Sequence, residues 1–292
     1  MRGFALLGFW LFFGATVLSF AGAVHGLGDS FAVFRHWWCG GLAVCSLGLL
    51  YKSVRRLALF GIAVAGLAIA TVAATYLGGS DAPGKFSLYQ KNLLFHANSP
   101  NRVIRDIRAM SPDFVTLEEV AGENRALFWI LAKEFGAGHL CTFSSVGDVA
   151  VVSRWPMVEG SGHCMGNQGA AAMQVETPEG RVWVVAIHLH WPYPQQQAQQ
   201  VSHLVEQMEF LQSAPVVLGG DFNMVPWSNT VAQIQAVTGS KRAGPTLVTF
   251  ELFRPRVRLP IDHIFVPSGK GQLETRPLLG SDHRGLFLRF DL

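Results

Sequence analysis

The chain has 292 residues, enough for one or two domains. Half of them are hydrophobic and 15% are charged, against an ordinary charged share of about 25%. The formal net charge of +3 comes from the first 80 residues, where Arg2, Arg35, Lys52, Arg55 and Arg56 outnumber the single acid Asp29. Beyond residue 80 acids and bases nearly cancel, so net charge announces no general nucleic-acid-binding face.

Residues 1–80 read as a transmembrane anchor of two or three helices. Phe4 to Val24 carries no charge over about 20 residues, enough to cross a bilayer core. A cleaved signal peptide is the competing reading, but the charged leader is thin and the apolar run long. Leu57 to Leu77 is a second such run. Between them Trp37 to Tyr51 is apolar but short; it either spans, with Phe31 to Phe34 drawn in, or lies in the interface. Gly61 and Ala65 are spaced for close helix packing. Lys52, Arg55 and Arg56 in the second loop, with Arg2, favour the cytoplasmic side. With three spans, everything after Leu77 then emerges on the extracytoplasmic side of an inner or plasma membrane. The linker at 78–85 reaches about 25 Å at full extension, which keeps the following domain near the bilayer. Cys141 and Cys164 either pair there or stay as buried thiols.

Residues 81–292 alternate strands and helices. FSLYQKN (86–92) reads as a strand ending in polar residues. In SPNRVIRDIRAM, Ser99 caps a helix with Pro100 in its first turn. PDFVTLEEV is a short strand, and ENRALFWILAKEFG a helix closed by Gly136. DVAVVSRWP and RVWVVAIHLH follow as strands. The run QQAQQVSHLVEQMEFLQ is an amphipathic helix that opens on a cluster of glutamines at 195–200. APVVLGG is a buried strand, and TLVTF, LPIDHIFVP and RGLFLRF complete the set. The interleaving implies a layered α/β or α+β domain of about 200 residues.

Strand after strand finishes in a carboxylate, amide or imidazole: Asn92; Glu118 and Glu119; His188 and His190; Asp221 and Asn223; Asp262 and His263; Asp282 and His283. Gathered at one edge, they make an acidic pocket of hard oxygen ligands that suits Mg²⁺, Mn²⁺ or Ca²⁺ rather than zinc. Such a set can neutralise a phosphate, orient a water and protonate a leaving group.

YQKN, LEEV, AIHLH, GGDFN, IDH and GSDH, in this order, resemble the endonuclease/exonuclease/phosphatase superfamily of deoxyribonuclease-I-like proteins. The resemblance covers about 85–292 and implies a four-layer α/β/β/α sandwich, α+β in class, with the site at one end. It implies that Glu119 is the principal metal carboxylate, helped by Asn92 and Asp282. Asp221 would orient or activate the attacking water. Asn223 would hold a phosphoryl oxygen. His283 would contact the phosphate, with Asp262 fixing its ring, and His188 would donate to the phosphoryl group or the leaving oxygen. The family usually has Gln where Glu118 stands; on an alternating strand Glu118 faces away from Glu119, as a surface acid or a support. His190 could substitute for or assist His188, and His263 faces away.

The expected activity is metal-dependent hydrolysis of a phosphodiester, nucleic acid first. A membrane-tethered phospholipid or sphingomyelin-type phosphodiesterase is the alternative, and a non-catalytic binding module of the same fold the third reading. Arg254, Arg256 and Arg258 alternate onto one face, as an anion-binding rim or a solvated edge. Trp191 and Tyr193 follow His190 on a loop where they could stack on bases, meet lipid or pack the loop.

Overall fold

The structure is a computed structural model and describes residues 2–50, 54–78, 83–97, 99–252 and 257–292. Lys52 of the orientation argument, and Arg254 and Arg256 of the expected rim, lie outside the described residues.

The N-terminal part is a small bundle. Helix α1 (Arg2–Leu18) stops short of the expected Val24, and a 3-10 turn (Ala21–Ala23) leads into a short helix α2 (Gly26–Val33) that periodicity did not reveal. Helix α3 (Arg35–Leu47) has 13 residues, about 20 Å of rise, too short to cross a bilayer core. Helix α4 (Arg55–Tyr76) has 22 residues and, among the described helices, is the one long and apolar enough to cross. Phe9, Leu42, Ala58, Ala65 and Ala68 pack between α1, α3 and α4, while Phe4, Leu7, Leu11 and Leu67 are exposed. Gly61 lies against Phe9 and Ser46, where a Cβ would come within 2.4 Å of the Phe9 ring. The small-residue spacing thus does close a helix contact.

The rest of the chain forms two mixed sheets faced by helices. In chain order come β1 (Phe86–Asn92), α5 (Pro100–Met110), β2 (Phe114–Val120), α6 (Asn124–Phe135), β3 (Ala137–Ser144) and β4 (Gly147–Ser153). Then follow β5 (His163–Cys164), β6 (Ala170–Thr177), β7 (Gly180–His188), α7 (Gln197–Gln207), β8 (Val216–Asp221) and α8 (Asn229–Thr238). β9 (Lys241–Arg242), β10 (Phe250–Leu252), β11 (Val257–Leu259), β12 (Asp262–Val266), β13 (Gln272–Arg276) and β14 (Gly285–Phe290) complete it. One six-stranded sheet has the order β13-β14-β1-β2-β4-β3 and the other β5-β6-β7-β8-β12-β9. Between them lies an apolar layer including Leu88, Phe114, Val184 and Val217; α5 and α6 cover the first sheet, α7 and α8 the second. This is the four-layer sandwich the motifs imply. Strands β3, β6 and β13 and helix α8 had no clear sequence signal; AAAMQVET carries little alternation because both its faces are covered.

Topology explains the gathering of polar ends. β1 and β2 are parallel neighbours, as are β7 and β8, so their C-terminal ends lie at one edge. His188 stands directly beside Asp221 in that register. Asp262 and His283 belong to strand beginnings, not ends: β12 starts at Asp262 and runs antiparallel to β8, and β14 starts just after His283 and runs antiparallel to β1. The reversed directions deliver them to the same edge.

The N-terminal helices and the sandwich cap each other's helices. Asp29 of α2 accepts from the backbone N–H groups of Asn229 (2.9 Å) and Thr230 (3.0 Å) at the start of α8. Conversely, the Thr75 carbonyl at the end of α4 accepts from Thr246 N (3.0 Å), Thr246 Oγ1 (2.9 Å) and Arg242 (2.9 Å). Trp227 Nε1 donates to Ala32 O at 2.7 Å. Helix ends leave such groups unpaired, and a charge of the right sign adds a favourable term with the helix dipole. Replacing Asp29 by Ala should therefore destabilise the full chain by about 1–2 kcal/mol, the usual cost of a lost helix cap. Thermal unfolding in detergent checks it; an unchanged midpoint would mean that the contact contributes nothing.

Candidate active site

Asp221 is the centre of the cluster. It ends β8, is buried, and its Oδ2 accepts from Asn92 Nδ2 at 2.9 Å while its Oδ1 accepts from Asn223 N at 2.8 Å. His188 Nε2 and His283 Nε2 each lie 3.7 Å from Asp221 Oδ2. The same Asn92 Nδ2 donates to Glu119 Oε1 at 3.0 Å, and Phe95 N holds Glu119 Oε2 at 2.8 Å.

Two of these residues sit in left-handed backbone, Glu119 at φ +57° and Asn223 at φ +47°. Glu119 lies where the β2–β4 register shifts, a bulge that re-aims its side chain toward the cleft. Residues other than glycine rarely adopt this region, and such strain concentrates at functional sites. Glu118 is not a surface acid. It is fully buried between the sheets, where Gln90 Nε2 donates to its Oε2 at 2.7 Å. Burial, and then the nearby Asp262 charge, raise its pKa well above the usual carboxylate range.

His283 Nδ1 is 2.9 Å from Asp262 Oδ2. Burial acts to lower the His283 pKa, but the carboxylates of Asp262 and Asp221 outweigh it and raise it to about 10. His283 is an imidazolium at neutral pH. His188 is the opposite: burial, then the His283 charge, push it down to about 3, so it is neutral. Burial raises the Asp221 pKa, with Asp262 and Glu119 adding to the effect. Burial also works against the ionised Asp262, yet the adjacent His283 holds its pKa below the usual value.

The other sequence candidates fall around this centre. Asn223 turns its amide to Leu189 O at 2.8 Å, which leaves that group one further N–H. Asp282 joins neither donor cluster, and its Oδ1 is buried without a hydrogen-bond partner. His190 packs on Phe143, whose ring also contacts His188. His263 is buried against Phe222 with Nε2 2.8 Å from Met224 O, away from the cluster. Arg258 is exposed and 3.8 Å from Glu251. Trp191 packs on Phe250, which in turn lies 4.7 Å from the His283 ring. Sequence reading passed over several residues that hold this arrangement. Lys91 is buried and donates to His283 O. Gln200 Nε2 donates to His188 O at 3.1 Å, and Gln197 Nε2 to Phe222 O at 3.0 Å. The glutamine cluster was the visible signal for the last two.

The donor set fits a hard divalent cation. Glu119, His188 and Asp221 present ligand atoms within 4.8 Å of one another; Asp221, Asp262 and His283 are as close, but there the charged imidazole acts as a counter-charge rather than a ligand. Asn92 Nδ2 bridges two carboxylates that would otherwise repel, and its Oδ1 accepts from Leu94 N at 2.9 Å, which fixes the amide in that orientation. Carboxylate and amide oxygens are the ligands of Mg²⁺ and Mn²⁺.

The family model described as the Endonuclease/Exonuclease/phosphatase family matches residues 90–283. The chain belongs to this family. No curated protein matches the chain in sequence. Among solved structures, the endonuclease/exonuclease/phosphatase fold aligns with humanized D. rerio TDP2 at 18% identity and TM-score 0.51, covering 71% of this chain and 99% of that one. Sphingomyelinase C from Streptomyces griseocarneus aligns at 17% identity and TM-score 0.50, with coverages of 70% and 99%. Beta toxin from Staphylococcus aureus, a mutant with bound magnesium ions, aligns at 14% identity and TM-score 0.53, with coverages of 70% and 99%. At these identities the likeness is one of fold. Family membership makes the chain a phosphoesterase-type hydrolase that uses divalent metal.

A cation entering the cluster must displace any proton on Asp221, whose pKa is raised. Metal affinity should therefore rise with pH. The thermal stabilisation by Mg²⁺ or Mn²⁺ is expected to be larger at alkaline than at mildly acidic pH; equal shifts at both would contradict the protonated Asp221.

Proposed function

We propose that the chain is a divalent-cation-dependent phosphodiesterase that hydrolyses a phosphate ester presented at a membrane surface. The observation that carries the reaction is Asp221: a buried carboxylate with a raised pKa, held by Asn92 and Asn223 and flanked at 3.7 Å by a neutral and a charged imidazole. Asp221 takes a proton from the attacking water, for which a raised pKa suits a base working near neutrality. His188 donates a ring N–H to a phosphoryl oxygen, and Asn223 offers its remaining amide N–H to another. His283, charged and oriented by Asp262, stabilises the phosphate and can protonate the departing oxygen. The water oxygen joins phosphorus as the ester oxygen leaves in line, with no covalent enzyme intermediate. A cation held by Glu119, with Asn92, would neutralise the phosphoryl oxygens.

The anchor supports a lipid headgroup as the substrate. Trp227, four positions after Asn223, hydrogen-bonds α2, and its ring neighbours Tyr76 at the end of α4. The catalytic edge therefore adjoins the helix that suits a bilayer. Arg55 and Arg56 at the start of α4 favour the cytoplasmic side for that end and the opposite side for the sandwich. The Cys141–Cys164 disulfide, which ties β3 to β5, agrees with an oxidising, extracytoplasmic compartment. Nucleic acid is the second reading, favoured by Phe143, Trp191 and Phe250, rings around His188 and His283 on which bases could stack.

The test uses the full chain in lipid nanodiscs with Mg²⁺, offered labelled phospholipid or plasmid DNA. Lipid cleavage is the expected outcome, and DNA cleavage alone would select the second reading. Asp221→Ala should lower turnover by about 10³-fold or more while leaving the fold intact, and EDTA should abolish it. Unchanged turnover in that variant would remove the catalytic assignment.

A further inference from the structure

At the end that carries Asp262 the layer between the two sheets is polar. There Gln90, Thr116 and Glu118 of the first sheet are wholly buried and face β8 and β12 of the second. Gly219 makes the room: a Cβ at that position would sit 2.4 Å from Thr116 Oγ1 and 3.2 Å from Gln90 Cβ. Gln90 Nε2 uses both of its N–H groups, one to Glu118 Oε2 at 2.7 Å and one to Asp262 Oδ1 at 3.0 Å. Asp262 uses its other oxygen, Oδ2, for His283 Nδ1. Its backbone N–H rests on Thr249 Oγ1 at 3.1 Å.

The group is costly to bury. Gln90 Oε1, Thr116 Oγ1 and Glu118 Oε1 have no hydrogen-bond partner. An unpaired buried polar atom costs about 1–3 kcal/mol, and apolar side chains of similar size would avoid that cost. Such an arrangement is expected where function, not stability, sets the residues.

We propose that Gln90 and Glu118 are positioning residues that orient the Asp262 carboxylate toward His283. Glu118 does so by fixing which way the Gln90 amide points. A glutamine amide has a donor end and an acceptor end, and with acceptors on two sides only Nε2 fits between them. Without Glu118 the amide can turn over and set Oε1 against Asp262 Oδ1, oxygen facing oxygen. Without Gln90, Oδ1 loses its side-chain donor in a dry site, and the carboxylate is free to rotate away from the imidazole. A glutamine at position 118 would also present an acceptor oxygen to Gln90.

The kinetic arm of the test rests on the phosphoesterase reading; the spectroscopic arm does not. Three variants of the full chain in detergent are compared with wild type: Gln90→Leu, Glu118→Leu and Glu118→Gln. The leucine variants should lower kcat by about 10- to 100-fold, the usual cost of losing a group that supports a site residue, with KM little changed. Each leucine also strands a buried partner, Asp262 Oδ1 and Glu118 Oε2 in Gln90→Leu and one Gln90 N–H in Glu118→Leu, so melting temperatures should fall modestly while a cooperative transition shows that the chains stay folded. Glu118→Gln should keep most of the activity. By proton NMR, the downfield His283 Nδ1–H signal should shift or broaden in the leucine variants and persist in Glu118→Gln, with or without substrate. A wild-type kcat in Gln90→Leu, an unmoved His283 signal, or a Glu118→Gln as impaired as Glu118→Leu would each overturn the proposal. Should Gln90→Leu fail to fold, the contrast between the two Glu118 variants decides it.

Discussion

Crowded negative charge at the Asp221 end of the sandwich is the constraint on which the rest depends. Glu119, Asp221 and Asp262 approach one another in a space largely sealed from water, where like charges repel strongly. The protein offsets this in three ways without a metal. Asn92 places one amide nitrogen between two carboxylates, His283 carries a positive charge between Asp221 and Asp262, and Asp221 holds its proton more tightly than usual. Each of these is a provisional counter-charge, and together they describe a site matched to a divalent cation and an anionic substrate.

The two imidazoles show how burial and neighbours divide one residue type into two roles. His188 and His283 are both buried and both 3.7 Å from the same carboxylate oxygen. Only His283 has a carboxylate at hydrogen-bond distance on its far nitrogen, and its charge in turn helps to keep His188 neutral. The site thus offers a neutral donor on one side and a cationic one on the other.

The N-terminal helices are part of the folded structure. Asp29 satisfies the first N–H groups of α8, and Arg242 and Thr246 satisfy the Thr75 carbonyl near the end of α4. Each part supplies the charge or hydrogen bond that the other's helix ends lack. Because α8 follows directly on the loop from Asp221 and Asn223, the orientation of the catalytic edge toward the helices is built in.

Much of this was legible in the chain itself. The apolar runs located the N-terminal helices, and Pro100 and Gly136 marked helix ends. The strand motifs around Asn92, Glu119, His188, Asp221, Asp262 and His283 pointed to residues that the structure gathers at one edge, because polar residues abutting buried strands stand out locally. Other features depend on partners far away in sequence. The break of the first apolar run at Leu18 and the short α2 follow from docking onto α8, which no local pattern encodes. Glu118 turns inward by alternation with Phe114 and Thr116, but the bulge that swings Glu119 to the cleft has a register only the neighbouring strand sets, and the Gln90 amide meets Glu118 and Asp262 only when two sheets stack. Residue types and their order settled the chemistry that was possible. Strand direction, parallel for two pairs and reversed for β12 and β14, decided that the groups meet, because contact across sheets is a property of the packed chain alone.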